Sequence, residues 1–327
     1  MQLLPTMRIG LVVYPGCIPS GLMAFAEILT ACNQRTQQRT FECVFTSVDG
    51  TPVTLTLASQ GPSITIEPQT SLAEGQFDAL LLPGFWASSE QDCAKALAVN
   101  RELIDTLSRL ASTTQLWGYC SAVCLLAASR QLEGRRATAT WWLAQYLSTA
   151  FTGVNWQFND TQVEDQELIT ASGVQGYLAI ANTLIQSHCG AAILAEINKL
   201  MVIARPQKAA LPWQRIEMIK SKSPEVARAY RWVEQTPAQD LTLNNFAAAL
   251  NMSTRTLARR IANGTDASAA QFMRLVKIQQ ACDLITYQGL SVKEVVDRLG
   301  YGDETSFRRT FKQVTTLTPA QYRQLIA

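Results

Sequence analysis

At 327 residues the chain is long enough for two domains, and a composition of 47% hydrophobic and 17% charged residues excludes a disordered polymer. The opening Met1-Gln2-Leu3-Leu4-Pro5-Thr6 reaches Arg8 without the apolar core of a secretory signal, and the sequence is read as having no run near the ~20 apolar residues of a membrane span. The net charge of +2 hides an asymmetry: residues 1–204 carry 10 Lys+Arg against 16 Asp+Glu, residues 205–327 carry 18 against 10, and such a cationic end attracts polyanions.

In chain order, the apolar run over 8–14 reads as a buried strand that ends in the turn Pro15-Gly16, followed by a helix over 22–32 and a second strand over 41–48. Ala79-Leu80-Leu81-Leu82-Pro83-Gly84 is a third strand, wholly apolar and ended by Pro-Gly, as a central parallel strand requires. A fourth over 115–119 meets Cys120, after which 121–129 is helical. Strand–Gly–X–Cys–helix is the sharp elbow that presents a nucleophile above a sheet, and open parallel sheets bind ligands beyond such carboxyl ends. Eight cysteines without an export signal read as reduced thiols in the cytoplasm, and Cys120 and Cys124 lack the partners of a zinc site in a chain whose single histidine is His188.

Several of these pieces, over about residues 7–200, carry a resemblance: Tyr14-Pro15-Gly16, Glu27, Phe77-Asp78-Ala79-Leu80-Leu81-Leu82-Pro83-Gly84, Gly118-Tyr119-Cys120-Ser121-Ala122, Leu132-Glu133-Gly134 through Thr140-Trp141-Trp142, and Ile169-Thr170-Ala171-Ser172-Gly173. The segment resembles the PfpI-type, class I glutamine amidotransferase-like domain, in the version fused ahead of AraC-type DNA-binding domains. The resemblance implies an α/β sandwich with a flavodoxin-like parallel sheet, and Glu27 as the carboxylate facing the elbow cysteine. Enzymes of this fold place a histidine soon after the elbow; the regulator branch often has one just before the Trp, where this chain has Thr140. His188 reads as an ordinary helix-terminal residue.

A thiol without a base cannot shuttle protons. The site therefore reads as a converted pocket with no catalytic residue, metal or cofactor. Its expected ligand-binding residues are Glu27, Gly84, Trp86, Tyr119 and Cys120, with Tyr14, Trp117, Trp141 and Trp142 as further rim or core aromatics. Glu27 either binds the ligand or only hydrogen-bonds the Cys120 thiol. A carboxylate beside aromatic faces favours a cationic amine, and the resemblance implies amino-acid-derived or betaine-like effectors. Two other readings stay open: a hydrolase or amidase using Cys120, and a redox sensor using Cys120 with Cys124, although helical i,i+4 cysteines are poorly placed for a relaxed disulfide.

Residues 180–185 and 192–203 form apolar helices; the first reads as core cover, and the second reads as either core cover or a dimer seam. Prolines at 206, 212 and 224 break the helix, which gives domains over 1–205 and 225–327 joined by a linker over 206–224. The last hundred residues hold two helix-turn-helix patterns joined by an amphipathic helix over 272–285. In the first, Ser253 caps a helix whose Leu257 and Ile261 face inward, leaving Arg255, Ala258 and Arg259 outside. In the second, Gly300 suits a helix C-terminus and Asp303 caps a helix with Phe307 and Phe311 inward and Glu304, Thr305, Arg308 and Arg309 outside. Arginine on an outward helix face supplies a planar fork for guanine edges and charge for phosphates.

Gly300-Tyr301, Asp303, Ser306-Phe307, Arg309, Phe311 and the closing Leu317-Thr318-Pro319-Ala320-Gln321-Tyr322-Arg323 resemble the AraC/XylS family of transcription regulators over about 225–325. The departures are Asp266-Ala267-Ser268-Ala269 in place of Gly-Leu-Ser-Pro, and Lys277 in place of an arginine. The resemblance implies an all-α DNA-binding domain and an activator. The expected partners are double-stranded DNA and a small-molecule effector, with RNA polymerase and a second copy of the chain as further candidates.

Overall fold

Short runs of β-branched and aliphatic residues, apolar on both faces, pair side by side in the front unit because only a covered parallel sheet buries them completely. In the computed structural model, which describes residues 6–56, 61–87, 89–110, 113–158, 160–203, 224–265, 267–315 and 317–326, these runs are β1 (Met7–Val12), β2 (Phe41–Ser47), the hairpin β3 (Val53–Thr56) and β4 (Ser63–Ile66), β5 (Thr70–Ser71), β6 (Ala79–Leu82) and β7 (Gln115–Tyr119). The short pair β8 (Arg136–Ala137) and β9 (Asn155–Trp156) follows, then β10 (Gln162–Asp165) and β11 (Leu168–Ala171). Among the described residues the main sheet runs β10-β11-β7-β6-β1-β2-β5, parallel except at β10. The Pro-Gly-terminated strand β6 is its centre, and Ala79, Leu80, Leu81 and Leu82 have no solvent exposure.

Helix α1 (Ser20–Thr36) packs against α6 (Gly176–Leu200), while α2 (Glu90–Val99) and α3 (Arg101–Ser108) pack on α4 (Val123–Ala128); α5 (Ala144–Ala150) follows the elbow region. Two boundaries differ from expectation. Helix α1 continues to Thr36 and ends at Gln37, which takes a left-handed cap at φ 54. The expected 121–129 helix opens instead as a 3₁₀ turn, Cys120–Ala122, before α4 begins. Helix α6 also corrects the membrane expectation: by length and composition alone it is long and apolar enough to cross a bilayer. Its Ile180, Ala181, Leu184 and Ile185 are instead buried in the core of the α/β unit.

The back unit is helical, and residues 211–327 form a compact unit separate from residues 1–210. Its helices are α7 (Pro224–Gln235), α8 (Leu243–Ala249), α9 (Thr254–Thr265), α10 (Ala269–Gln288), α11 (Val292–Leu299), α12 (Glu304–Thr315) and α13 (Pro319–Ile326). The expected linker lies, up to residue 223, outside the described residues, as does Asp266 of the altered loop. The joining helix is longer than its apolar stripe, because a capping box of Ser268 and Gln271 starts it early and Gly289 at φ 65 stops it late.

Two cores share α10. Its Phe272, Met273 and Val276 pack with Phe246, Leu257 and Ile261; its Ile278, Ala281, Cys282 and Ile285 pack with Val295, Phe307 and Phe311. Gly300, at φ 68, ends α11, and a Cβ there would stand 2.7 Å from Pro237 Cβ. Gly300→Ala is therefore expected to destabilise the protein by about 1–3 kcal/mol, seen as a lower denaturant midpoint for the helical unit. An unchanged midpoint would show that the turn relaxes freely.

Candidate functional site

Strand β7 delivers Cys120 at φ 58, a left-handed conformation that a non-glycine residue holds only when its surroundings impose it. The loops after β6 and β7 are locked together here. The Phe85 amide donates to Ser121 Oγ at 2.8 Å, and that hydroxyl donates to the Phe85 carbonyl at 2.5 Å. Gly84 must be glycine, since a Cβ would approach Cys120 Cβ to 2.8 Å. Cys120 is partly exposed, and Thr140 Oγ1 donates to its Sγ at 3.4 Å. The position where the regulator branch often has a histidine thus touches the thiol, but with a hydroxyl that is no base at neutral pH.

The expected ligand residues do not form one rim. Gly84 and Cys120 are neighbours. Tyr119 is buried, edge-on to Tyr177 at 5.8 Å, and its hydroxyl has no hydrogen-bond partner among the described residues; burial pushes its phenol well above the usual range. Trp86 is 82% exposed, whereas Tyr14 and Trp117 belong to the core; the Trp141 side chain lies outside the described residues. Glu27 is a correction. It is exposed on α1, whose buried stripe is Gly21, Leu22, Phe25, Ile28, Leu29 and Cys32. Two residues beyond Phe25 is about 200° around a helix, so Glu27 points away from the core. Gly21 is what α1 sets against the elbow strand, where an added Cβ would collide with the Tyr119 hydroxyl.

His188 sits on α6, its Nδ1 3.0 Å from the Leu184 carbonyl and its ring edge-on to Phe41, as an ordinary structural residue. Cys124 has a partner other than Cys120: it is buried and hydrogen-bonded to Cys93, which together with burial pushes its thiol well up. A redox couple of Cys120 with Cys124 is not favoured by this arrangement.

The helix-turn-helix residues fall where the patterns put them. Ser253 Oγ accepts from the Thr256 amide at 3.2 Å and Asp303 Oδ1 from the Ser306 amide at 2.7 Å, so both caps form. With Leu257 and Ile261 buried, Arg255 and Arg259 are exposed and Ala258 is half-buried between them; with Phe307 and Phe311 buried, Thr305, Arg308 and Arg309 are exposed. Two outward charges are not free. Arg308 is ion-paired with Glu304 one turn earlier, and Arg260 with Glu225 of α7 at 2.7 Å. The sequence places Glu304 and Arg308 together on the outer face, and the structure pairs them with each other.

Lys277 shows what replaces the usual arginine. It is buried at the junction of the two cores, and its Nζ donates to the Glu234 carbonyl at 3.0 Å and to Gln280 Oε1 at 2.8 Å. Burial lowers its pKa to about 8, with Glu234 opposing the shift. Between about 8 and the ordinary lysine value near 10.4, the unfolded chain keeps a proton that the folded chain has lost, so stability rises with pH across that window. Lys277→Met removes this term, and chemical unfolding from about pH 8 to about pH 10 should show the wild type gaining on the variant. A constant difference would mean that the ammonium stays charged.

Residues 246–325 match the helix-turn-helix domain model and residues 25–187 match the DJ-1/PfpI family. The chain thus carries a DJ-1/PfpI-like region followed by a helix-turn-helix region. It is 22% identical over 170 residues to the HTH-type transcriptional activator RhaS of Klebsiella pneumoniae, covering 52% of its own length and 57% of RhaS, little more than half of that relative. To the HTH-type transcriptional regulator CdhR of Pseudomonas aeruginosa it is 22% identical over 319 residues, 95% of this chain and 90% of CdhR. A solved protein structure from Vibrio parahaemolyticus covers 60% of this chain and 99% of its own at a TM-score of 0.50 and 13% identity, which shows the fold alone.

Proposed function

We propose that this chain is a sequence-specific DNA-binding transcription regulator, an activator, that works in the cytoplasm under the control of a small molecule sensed by a non-catalytic front unit. What carries the reading is the pair of arginine-bearing helices, α9 and α12, each anchored in its own core and both cores built on α10. A helix of 20 residues is about 30 Å long, close to the roughly 34 Å between successive major grooves on one face of a duplex. The net positive charge of this half supports the same partner. The activator assignment draws on the name of RhaS, and the regulator assignment also on that of CdhR, which spans both units.

The elbow supports sensing over hydrolysis, because Thr140 rather than a base hydrogen-bonds Cys120. Gly84, Cys120, Tyr119 and Trp86 remain the proposed effector-facing residues of that side; Glu27, turned to solvent, leaves the set, and with it the carboxylate that favoured a cationic effector. RNA polymerase and a second copy of the chain are the further proposed partners.

Arg255→Ala and Arg308→Ala should each weaken specific binding by about 1–3 kcal/mol where the arginine reads a guanine, with Arg308→Ala the smaller because Glu304 already holds that side chain. Footprinting of the full chain on genomic promoter fragments measures both. Unchanged footprints for the two variants, or no salt-sensitive preference for any fragment by the wild type, would remove DNA reading from these helices.

A further inference from the structure

Along the outer edge of the front unit, a cleft of about 720 Å³ lies between strand β10 and both halves of α6. Gly190, at φ 84 and ψ 165, breaks α6 between two sets of lining residues, Ala179 to Gln186 and Ala191 to Lys199, and both sets face the same space. Two of these residues carry buried polar atoms with no hydrogen-bond partner among the described residues: Asn182 Nδ2, on a residue only 6% exposed, and Asn198 Oδ1. One is a donor and the other an acceptor, and buried amides rarely stay unpaired, since each costs free energy until something supplies its partner.

Charged groups of both signs line the same cleft. The Glu164 carboxylate is positioned by neutral donors, Gln162 Nε2 at 2.9 Å and Thr183 Oγ1 at 3.3 Å, and Lys199 places an ammonium on the far side of the kink. We propose that this cleft is a ligand site for a small zwitterion with a primary carboxamide, the chemistry of an amide amino acid. The carboxamide oxygen accepts from Asn182 and its amino group donates to Asn198; the ligand's ammonium pairs with Glu164 and its carboxylate with Lys199. A carboxylic acid in place of the amide lacks the donor for Asn198 and is rejected, because a site built to pair a substrate N–H discriminates strongly against its absence. A ligand that spans Gly190 selects one kink angle in the helix that leads out of the front unit, and this assignment rests on the reading of that unit as the sensor.

The test is calorimetry of the full-length protein titrated with L-asparagine and L-glutamine, with L-aspartate and L-glutamate as the acid counterparts. One of the amides should bind saturably, at least about tenfold more tightly than its acid. Asn198→Ala, which removes the acceptor, and Lys199→Ala, both at positions that leave the core intact, should each weaken that binding by about tenfold or more, and Asn182→Leu should abolish it with an unchanged unfolding midpoint. No saturable heat with either amide, or equal affinity for amides and acids, overturns the proposal, as does retained affinity in the Asn198 and Lys199 variants. Footprinting alongside keeps the two readings apart: amide binding that leaves promoter occupancy unchanged upholds the site and removes its sensing role. DNA binding that responds to other metabolites, with no heat from the amides, upholds the sensor and removes this site.

Discussion

The back unit depends on one helix serving two cores. The amino-terminal half of α10 buries Phe272 and Val276 among the residues of the first helix-turn-helix, and its carboxy-terminal half buries Ile278, Ala281 and Ile285 among those of the second. Neither module has an apolar core without its half of that helix. Their separation is therefore set by the rise of an α-helix and not by a tether. Hydrogen bonds at the junction add to the constraint: Lys277 and Gln280 both reach the Glu234 carbonyl, and the Gln239 amide donates to the Gly300 carbonyl at 2.9 Å. For the DNA reading proposed above, a flexible link would leave each helix the entropic cost of finding a second site, whereas a shared helix has met that cost on folding.

In the front unit the elbow holds a thiol beside a hydroxyl rather than beside a base. A left-handed cysteine, a glycine that must stay small beside it and a serine bridging two loops are the features that make a nucleophile accessible. Thr140 hydrogen-bonds the thiol with a hydroxyl that is no base at neutral pH. The strained elbow also has a structural part: Ser121 pins the loop after β6 to the loop after β7, next to the central strand of the sheet.

Much of this was legible from residue patterns, for identifiable reasons. Strand β6 announced itself because a fully buried parallel strand tolerates no polar residue, and the recognition helices because Leu257, Ile261, Phe307 and Phe311 repeat at four-residue spacing. Glu27 failed for a matching reason. Its position came from family likeness, which carries no helix phase, and one step of about 100° decides between core and solvent. The Glu304–Arg308 ion pair was legible as i,i+4 spacing on the outer face. The cleft beside α6 had no sequence signal, since Asn182 and Asn198 are 16 residues apart on two apolar segments read as separate helices, whose shared face depends on the turn at Gly190.

The amino-acid sequence by itself determined the order of the two units, the periodicities that build them, the capped helices that carry arginine outward and the absence of a histidine next to the Trp after the elbow. These are local properties, set by spacing along one element or by the identity of one residue. Only the tertiary structure decided that Glu27 faces solvent, that Thr140 touches Cys120, that Cys124 pairs with Cys93 and that two asparagines share a cleft. Each depends on how elements far apart in sequence are rotated and stacked, and that follows from packing the whole core rather than from any one segment's pattern.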